Sequence, residues 1–133
     1  MAVNPMSNGR VITPANTLPG DVPRIVNGEV HVGVDAGKSA QQLLKRYGYG
    51  AWVYVQLIAG LIPRGRSRGE SAYHVMLDGR EVGWLDSACS ARHAGQVVNG
   101  DAWFLAHVPD RPTDRLTNRF SLRVSMPRPL AWA

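Results

Sequence analysis

Between residues 72 and 87 two apolar-rich runs, Ala72-Tyr73-His74-Val75-Met76-Leu77 and Arg80-Glu81-Val82-Gly83-Trp84-Leu85, meet across Asp78-Gly79. That dipeptide constrains the fold more than any other feature of the chain. A type I′ turn needs positive φ at both of its central residues, and Asp and Gly tolerate it well. The spacing predicts a tight antiparallel hairpin in which Tyr73, Val75 and Leu77 share one face before the turn, and Val82 and Trp84 share one face after it. A helix is expected directly afterwards, because Asp86 or Ser87 can cap its first amides and Ala88 to Val98 holds no Pro and only Gly95.

The same short rhythm runs through the rest of the chain. Residues 1–23 are punctuated by Pro and Gly with almost no periodicity, which predicts an extended or flexible arm. Beyond it, Ile25-Val26, Asn27-Gly28 and Val30, Val32 and Val34 on alternate positions read as a second hairpin. Ser39 with Gln42 three residues on forms a capping box for a short helix, which Gly48 is expected to close in αL geometry. Trp52 to Ile58 reads as a buried strand. Ala102, Phe104, Ala106 and Val108 alternate with Trp103, Leu105 and His107, and Pro109 to Asn118 reads as a polar loop. In the last strand Phe120, Leu122, Val124 and Met126 alternate with Arg119, Ser121, Arg123 and Ser125, giving one core face and one basic, wet face.

These elements predict a mainly β (α+β) fold: a small bent sheet or partly open OB/SH3-like barrel of six to seven short strands with two short helices. At 133 residues the chain is long enough for one core, so the expected layout is an arm over 1–23, a single β-rich domain over 24–126 and a tail over 127–133. No apolar run approaches the roughly 20 residues that span a bilayer, and the first residues lack the apolar segment of a secretory signal. With one cysteine, Cys89, no intrachain disulfide can form, so a cytoplasmic location is expected, or a virion-associated one if the chain is a phage subunit.

The formal charge is +5, and thirteen of the fifteen cations are Arg, since only Lys38 and Lys45 are Lys. Arginine pairs bidentately with phosphate and stacks on bases, which suits nucleic acid, although the same bias follows from a GC-rich coding sequence. Gly33-Val34-Asp35-Ala36-Gly37-Lys38-Ser39 resembles a phosphate-binding loop, but three residues separate its glycines where the motif needs four. His31, His74, His93 and His107 are scattered, and Cys89 with His93 is the only pair that could share a helix face, too few ligands for a zinc site. Neither catalysis, nor a metal, nor a cofactor is expected.

The densest positive feature is Pro63-Arg64-Gly65-Arg66-Ser67-Arg68-Gly69-Glu70, whose glycines let backbone amides approach an anion. Trp52, Tyr54, Tyr73 and Trp84 are available nearby for stacking, and interleaved Arg and aromatics serve single-stranded nucleic acid. The expected binding residues are Arg64, Arg66, Arg68, Trp52, Tyr54, Arg119 and Arg123.

The segment Met76-Leu77-Asp78-Gly79-Arg80-Glu81-Val82-Gly83-Trp84-Leu85-Asp86-Ser87-Ala88, followed by a helix and a strand, resembles the C-terminal half of the HIRAN domain. Val82, Gly83, Trp84 and Leu85 carry the match, which covers about a third of the chain. The resemblance implies a small β-barrel related to OB and SH3-like folds, of a kind found beside helicases and nucleases or alone in bacterial and phage proteins, that binds single-stranded DNA ends. The family's preceding asparagine-proline-x-aspartate-x-asparagine-alanine run is replaced here by Arg66 to Ala72, so its DNA contacts do not carry over and the basic loop would take their place.

The sequence therefore points to a non-catalytic nucleic-acid-binding module with a single-stranded DNA partner. The other class it supports is a structural or adaptor protein, a phage-type accessory or capsid-associated subunit. That protein would dock on a partner or on a second copy through the arm and the tail, where Trp132 offers a large apolar face.

Overall fold

The computed structural model describes residues 6–7, 10–11, 13–17, 24–25, 30–63, 65–92, 103–111 and 120–126. Asn27-Gly28, Arg64, His93, Arg119 and Trp132 lie outside the described residues. The architecture is mainly β. In chain order the elements are β1 (Met6–Ser7), β2 (Arg10–Val11), β3 (Arg24–Ile25), β4 (Val30–Ala36), α1 (Lys38–Tyr47), β5 (Trp52–Leu61), β6 (Ser71–Leu77), β7 (Arg80–Trp84), α2 (Ser87–Arg92), β8 (Trp103–His107) and β9 (Leu122–Met126).

Six antiparallel strands, in the order β8-β5-β6-β7-β4-β9, curl far enough for β9 to meet β8 again through Ala106↔Val124 and His107↔Arg123. Two-residue β3 runs parallel to the first half of β8, and β1 pairs with β2 in a separate small ribbon. Alternation gives the curled sheet one buried inner face: Val53, Val55, Leu57, Val75, Leu77, Phe104, Ala106, Leu122, Val124 and Met126 are fully buried. α1 caps this core with Ala40, Leu43 and Leu44, and α2 contributes Cys89. No helix among the described residues is long and apolar enough to cross a membrane.

Asp78 and Gly79 form the turn, with φ of 53° and 78°. The hairpin they close departs from a simple register. Leu77 faces Arg80 and Met76 faces Glu81, but Val75 faces Gly83, so the register shifts by one residue and β7 carries a bulge at Val82. Val82 and Trp84 therefore do not share a face: Val82 is buried in the core, whereas Trp84 is half-buried and lies opposite His74.

Three other local expectations give way to the tertiary structure. β4 pairs with β9 and β7, and β3 with β8, so no pairing joins β3 to β4 among the described residues. The N-cap of α1 is Gly37, without a side-chain capping bond, which places Ser39 inside the helix; β4 runs on to Ala36 and leaves no phosphate loop ahead of it. Gly48 ends α1 with φ 87° but ψ 169°, an almost glycine-only region that sends the chain out extended rather than through αL.

Two side-chain amides stitch outlying segments onto the barrel by imitating a strand. Asn16 Oδ1 accepts from the Tyr54 amide at 2.7 Å while its Nδ2 donates to the Tyr54 carbonyl at 2.9 Å. Gln41 does the same for Phe120, accepting from its amide at 2.7 Å and donating to its carbonyl at 2.9 Å. Within the N-terminal stretch the Ala15 amide also donates to the Trp52 carbonyl at 2.8 Å, so this part of the arm is bound to β5.

The turn carboxylate joins the same knot. Asp78 accepts from Asn16 Nδ2 at 3.2 Å and from the Tyr47 hydroxyl at the end of α1. Burial, and then the hydrogen bond and charge of Asp78, push the Tyr47 phenol from 10.0 up to about 12. The folded chain keeps this proton where the unfolded chain has lost it. The contribution to stability is thus complete below pH 10 and is lost as pH rises towards about 12. Phenolate absorbance, taken as the difference between the parent and Tyr47→Phe, is expected to show a midpoint near 12, and Asp78→Asn is expected to lower it. A parental midpoint at 10 would contradict the Tyr47–Asp78 hydrogen bond.

Candidate nucleic-acid interface

The loop between β5 and β6 is built, not slack. At its neck the Ile62 amide donates to the Glu70 carbonyl and the Gly69 amide to the Ile62 carbonyl, both at 2.9 Å. Inside it the Arg68 amide donates to Gly65 at 3.2 Å and the Glu70 amide to Ser67 at 3.0 Å. Gly65 and Gly69 adopt φ of 90° and 85°, which these tight turns require and a β-branched residue would resist. Ile62 is buried and anchors the loop, leaving Arg66 and Arg68 exposed on it.

Beside this loop the barrel wall is incomplete. β4 and β7 pair only through Asp35↔Trp84 and Ala36↔Gly83, whereas Val30 to Val34 pair on the other side with β9. Beyond that short seam lies a cleft of about 260 Å³ lined by Gly33, Ile62, Arg66, Ser67, Trp84 and Asp86. One cation, one hydroxyl and one indole therefore meet in a space that admits a planar group. Asp86 is the acidic member, and its Oδ1 is occupied in accepting from the Cys89 amide at 2.7 Å, the N-terminal cap expected for α2.

Trp84 is held from behind by His74, whose ring lies 6.3 Å away at 56°. His74 is itself fixed: Nδ1 lies 2.5 Å from Glu81 Oε1 and Nε2 lies 2.9 Å from the Leu61 carbonyl. Its ring covers Gly60, where an added Cβ would come within 2.5 Å of Cδ2. His74 and Glu81 do not stand out in the sequence because the bulge at Val82 sets the pairing that joins His74 to Trp84, and nothing in the local pattern marks a bulge.

The other expected binding residues fall into two sets. On the outer wall Trp52 faces His107, His107 faces Arg123, and Arg123 faces Gly33, one row crossing β5, β8, β9 and β4. Trp52 stacks on His107 at 4.3 Å and 20°, and Arg123 is exposed. Tyr54 belongs to a different environment. At 7% exposure it packs with Leu105 under Trp52 and Trp103, and its backbone is taken by Asn16, so its ring presents no face to a base. Cys89 is buried in the core, and among the described residues no three His, Cys, Asp or Glu side chains gather as metal ligands would.

Compared with protein-family models, with curated proteins and with solved structures, the chain gives no match.

Proposed function

We propose that this chain is a non-catalytic module that binds single-stranded nucleic acid, with single-stranded DNA or a DNA end as the favoured ligand. The observation that carries the reading is the meeting of Arg66 and Trp84 in one cleft, with Ser67 beside them. An indole stacks on any base, and an arginine beside it pairs with the adjoining phosphate. Within a duplex the base faces are stacked on one another, so an unpaired strand or a duplex end is what offers the face of a base to Trp84. Val82 to Leu85, which carry the HIRAN resemblance, include this tryptophan, so that kinship is part of the proposal.

A fluorescence titration of the intact chain with a labelled single strand, and with the same sequence as duplex, at several salt concentrations tests the reading. Tighter binding to the single strand is expected, weakening as salt rises. Replacing Arg64, Arg66 and Arg68 together by Ala is expected to reduce the salt slope by about 0.7 for each phosphate that is no longer neutralised. Stability should change little, since exposed charges contribute about 0–1 kcal/mol. An unaltered slope in the triple variant would remove the loop from the interface, and no binding by the parent would overturn the reading.

The adaptor reading keeps one specific observation. Leu61, at the end of β5, is 60% exposed, an apolar side chain that a protein partner could cover. Its signature in the same experiment is a parent that ignores oligonucleotides yet self-associates in a sizing measurement.

A further inference from the structure

We infer that a bound single strand leaves the Arg66–Trp84 cleft over Gly33 and continues around the barrel to the row formed by Arg123, His107 and Trp52. This rests on the nucleic-acid reading above and adds to it a second station and a path.

Gly33 is the pivotal residue. It sits inside β4, where glycine weakens a strand, yet its φ lies outside the positive range and an added Cβ would meet nothing within 4 Å. Neither backbone conformation nor packing accounts for it. What its missing side chain does is leave bare backbone between two groups of binding-competent side chains. Gly33 lines the cleft with Arg66 and Trp84, and in register it is the direct neighbour of exposed Arg123. Arg123 in turn neighbours His107, which stacks on Trp52.

Cation and aromatic thus recur on both sides of a flat step, the alternation a phosphate-and-base chain needs. From β7 through β4, β9 and β8 to β5 the path crosses four strand spacings, about 19 Å. That is the scale of the smallest single-strand sites, about four nucleotides. Acidic residues flank the path: Asp35 is in register with Trp84 on β4, Glu81 is engaged with His74, Asp86 with the first turn of α2, and Asp110 Oδ1 lies 3.9 Å from His107 Nε2.

The test sets stability against binding. An added Cβ at Gly33 meets nothing within 4 Å and valine favours strands, so the melting temperature of Gly33→Val is expected to equal or exceed the parent's. Its affinity for an extended thymidine oligonucleotide is expected to fall about ten- to a hundredfold, and because Gly33 also lines the cleft, its affinity for a dinucleotide falls with it. Arg123→Ala, on the exposed face, is expected to weaken the long ligand and spare the short one. A Gly33→Val chain, or an Arg123→Ala chain, that binds the long oligonucleotide as tightly as the parent would overturn the path and leave the cleft reading standing. A parent that binds neither ligand would overturn both.

Discussion

Replacing Gly79 by valine is expected to destabilise the protein by about 1–3 kcal/mol, measured by chemical or thermal unfolding. The cause is the residue's own backbone conformation and not crowding by its neighbours. Gly79 adopts φ of 78°, and an added Cβ there would meet no atom within 4 Å, so crowding plays no part. A β-branched side chain in that backbone region is strained wherever it occurs. The damage would not stop at the turn. Its other half, Asp78, accepts hydrogen bonds from Asn16 and Tyr47, so a shifted turn loosens the N-terminal segment and the end of α1 together. Gly79→Asn makes the control, since Asn tolerates positive φ, and it should retain most of the stability. A valine variant that melts with the parent would show that the turn does not hold the register.

Trp84→Ala is the substitution expected to cost most in binding. Loss of one base–indole stack weakens a single-strand complex by about 1–3 kcal/mol, roughly five- to 150-fold in Kd. Trp84 is half-buried on the outer wall, not in the core cluster, so the fold should survive its removal better than it would survive loss of Leu85 behind it. Trp84→Phe should recover much of the affinity, because a smaller ring still stacks. Titration of the three chains at one salt concentration distinguishes the outcomes. Equal affinity in all three would take Trp84 out of the interface, whereas loss only in the alanine variant would place stacking there.

The candidate site is partly legible in the sequence. Arg66 and Arg68 are exposed on a glycine-shaped loop, as their spacing predicts, and Trp52 and Arg123 lie on one outer row. Tyr54 does not fit the expectation, because strand alternation says which side chains share a face and does not say whether that face is covered. Here Leu105, Trp52 and Trp103 cover it, and Asn16 closes over its backbone. Alternation also puts Trp84 on the face of Val82 and fails for a related reason: one extra residue in a strand inverts every side chain beyond it.

What the sequence by itself determined is local. Two positive-φ residues at 78 and 79 specify a turn, Asp86 caps the helix after it, and strict alternation from Leu122 to Met126 specifies a strand with a buried face, because each of these is settled by backbone sterics or by neighbours a few residues away. What only the tertiary structure decided is which strands meet. β4 left the apparent hairpin with β3 for β9 and β7, β9 returned to β8, and Arg66, Gly33 and Trp84 came from three separate segments to one cleft. Those partnerships depend on burying the inward faces of all six strands at once. That requirement belongs to the whole chain, and no short stretch of it carries the information.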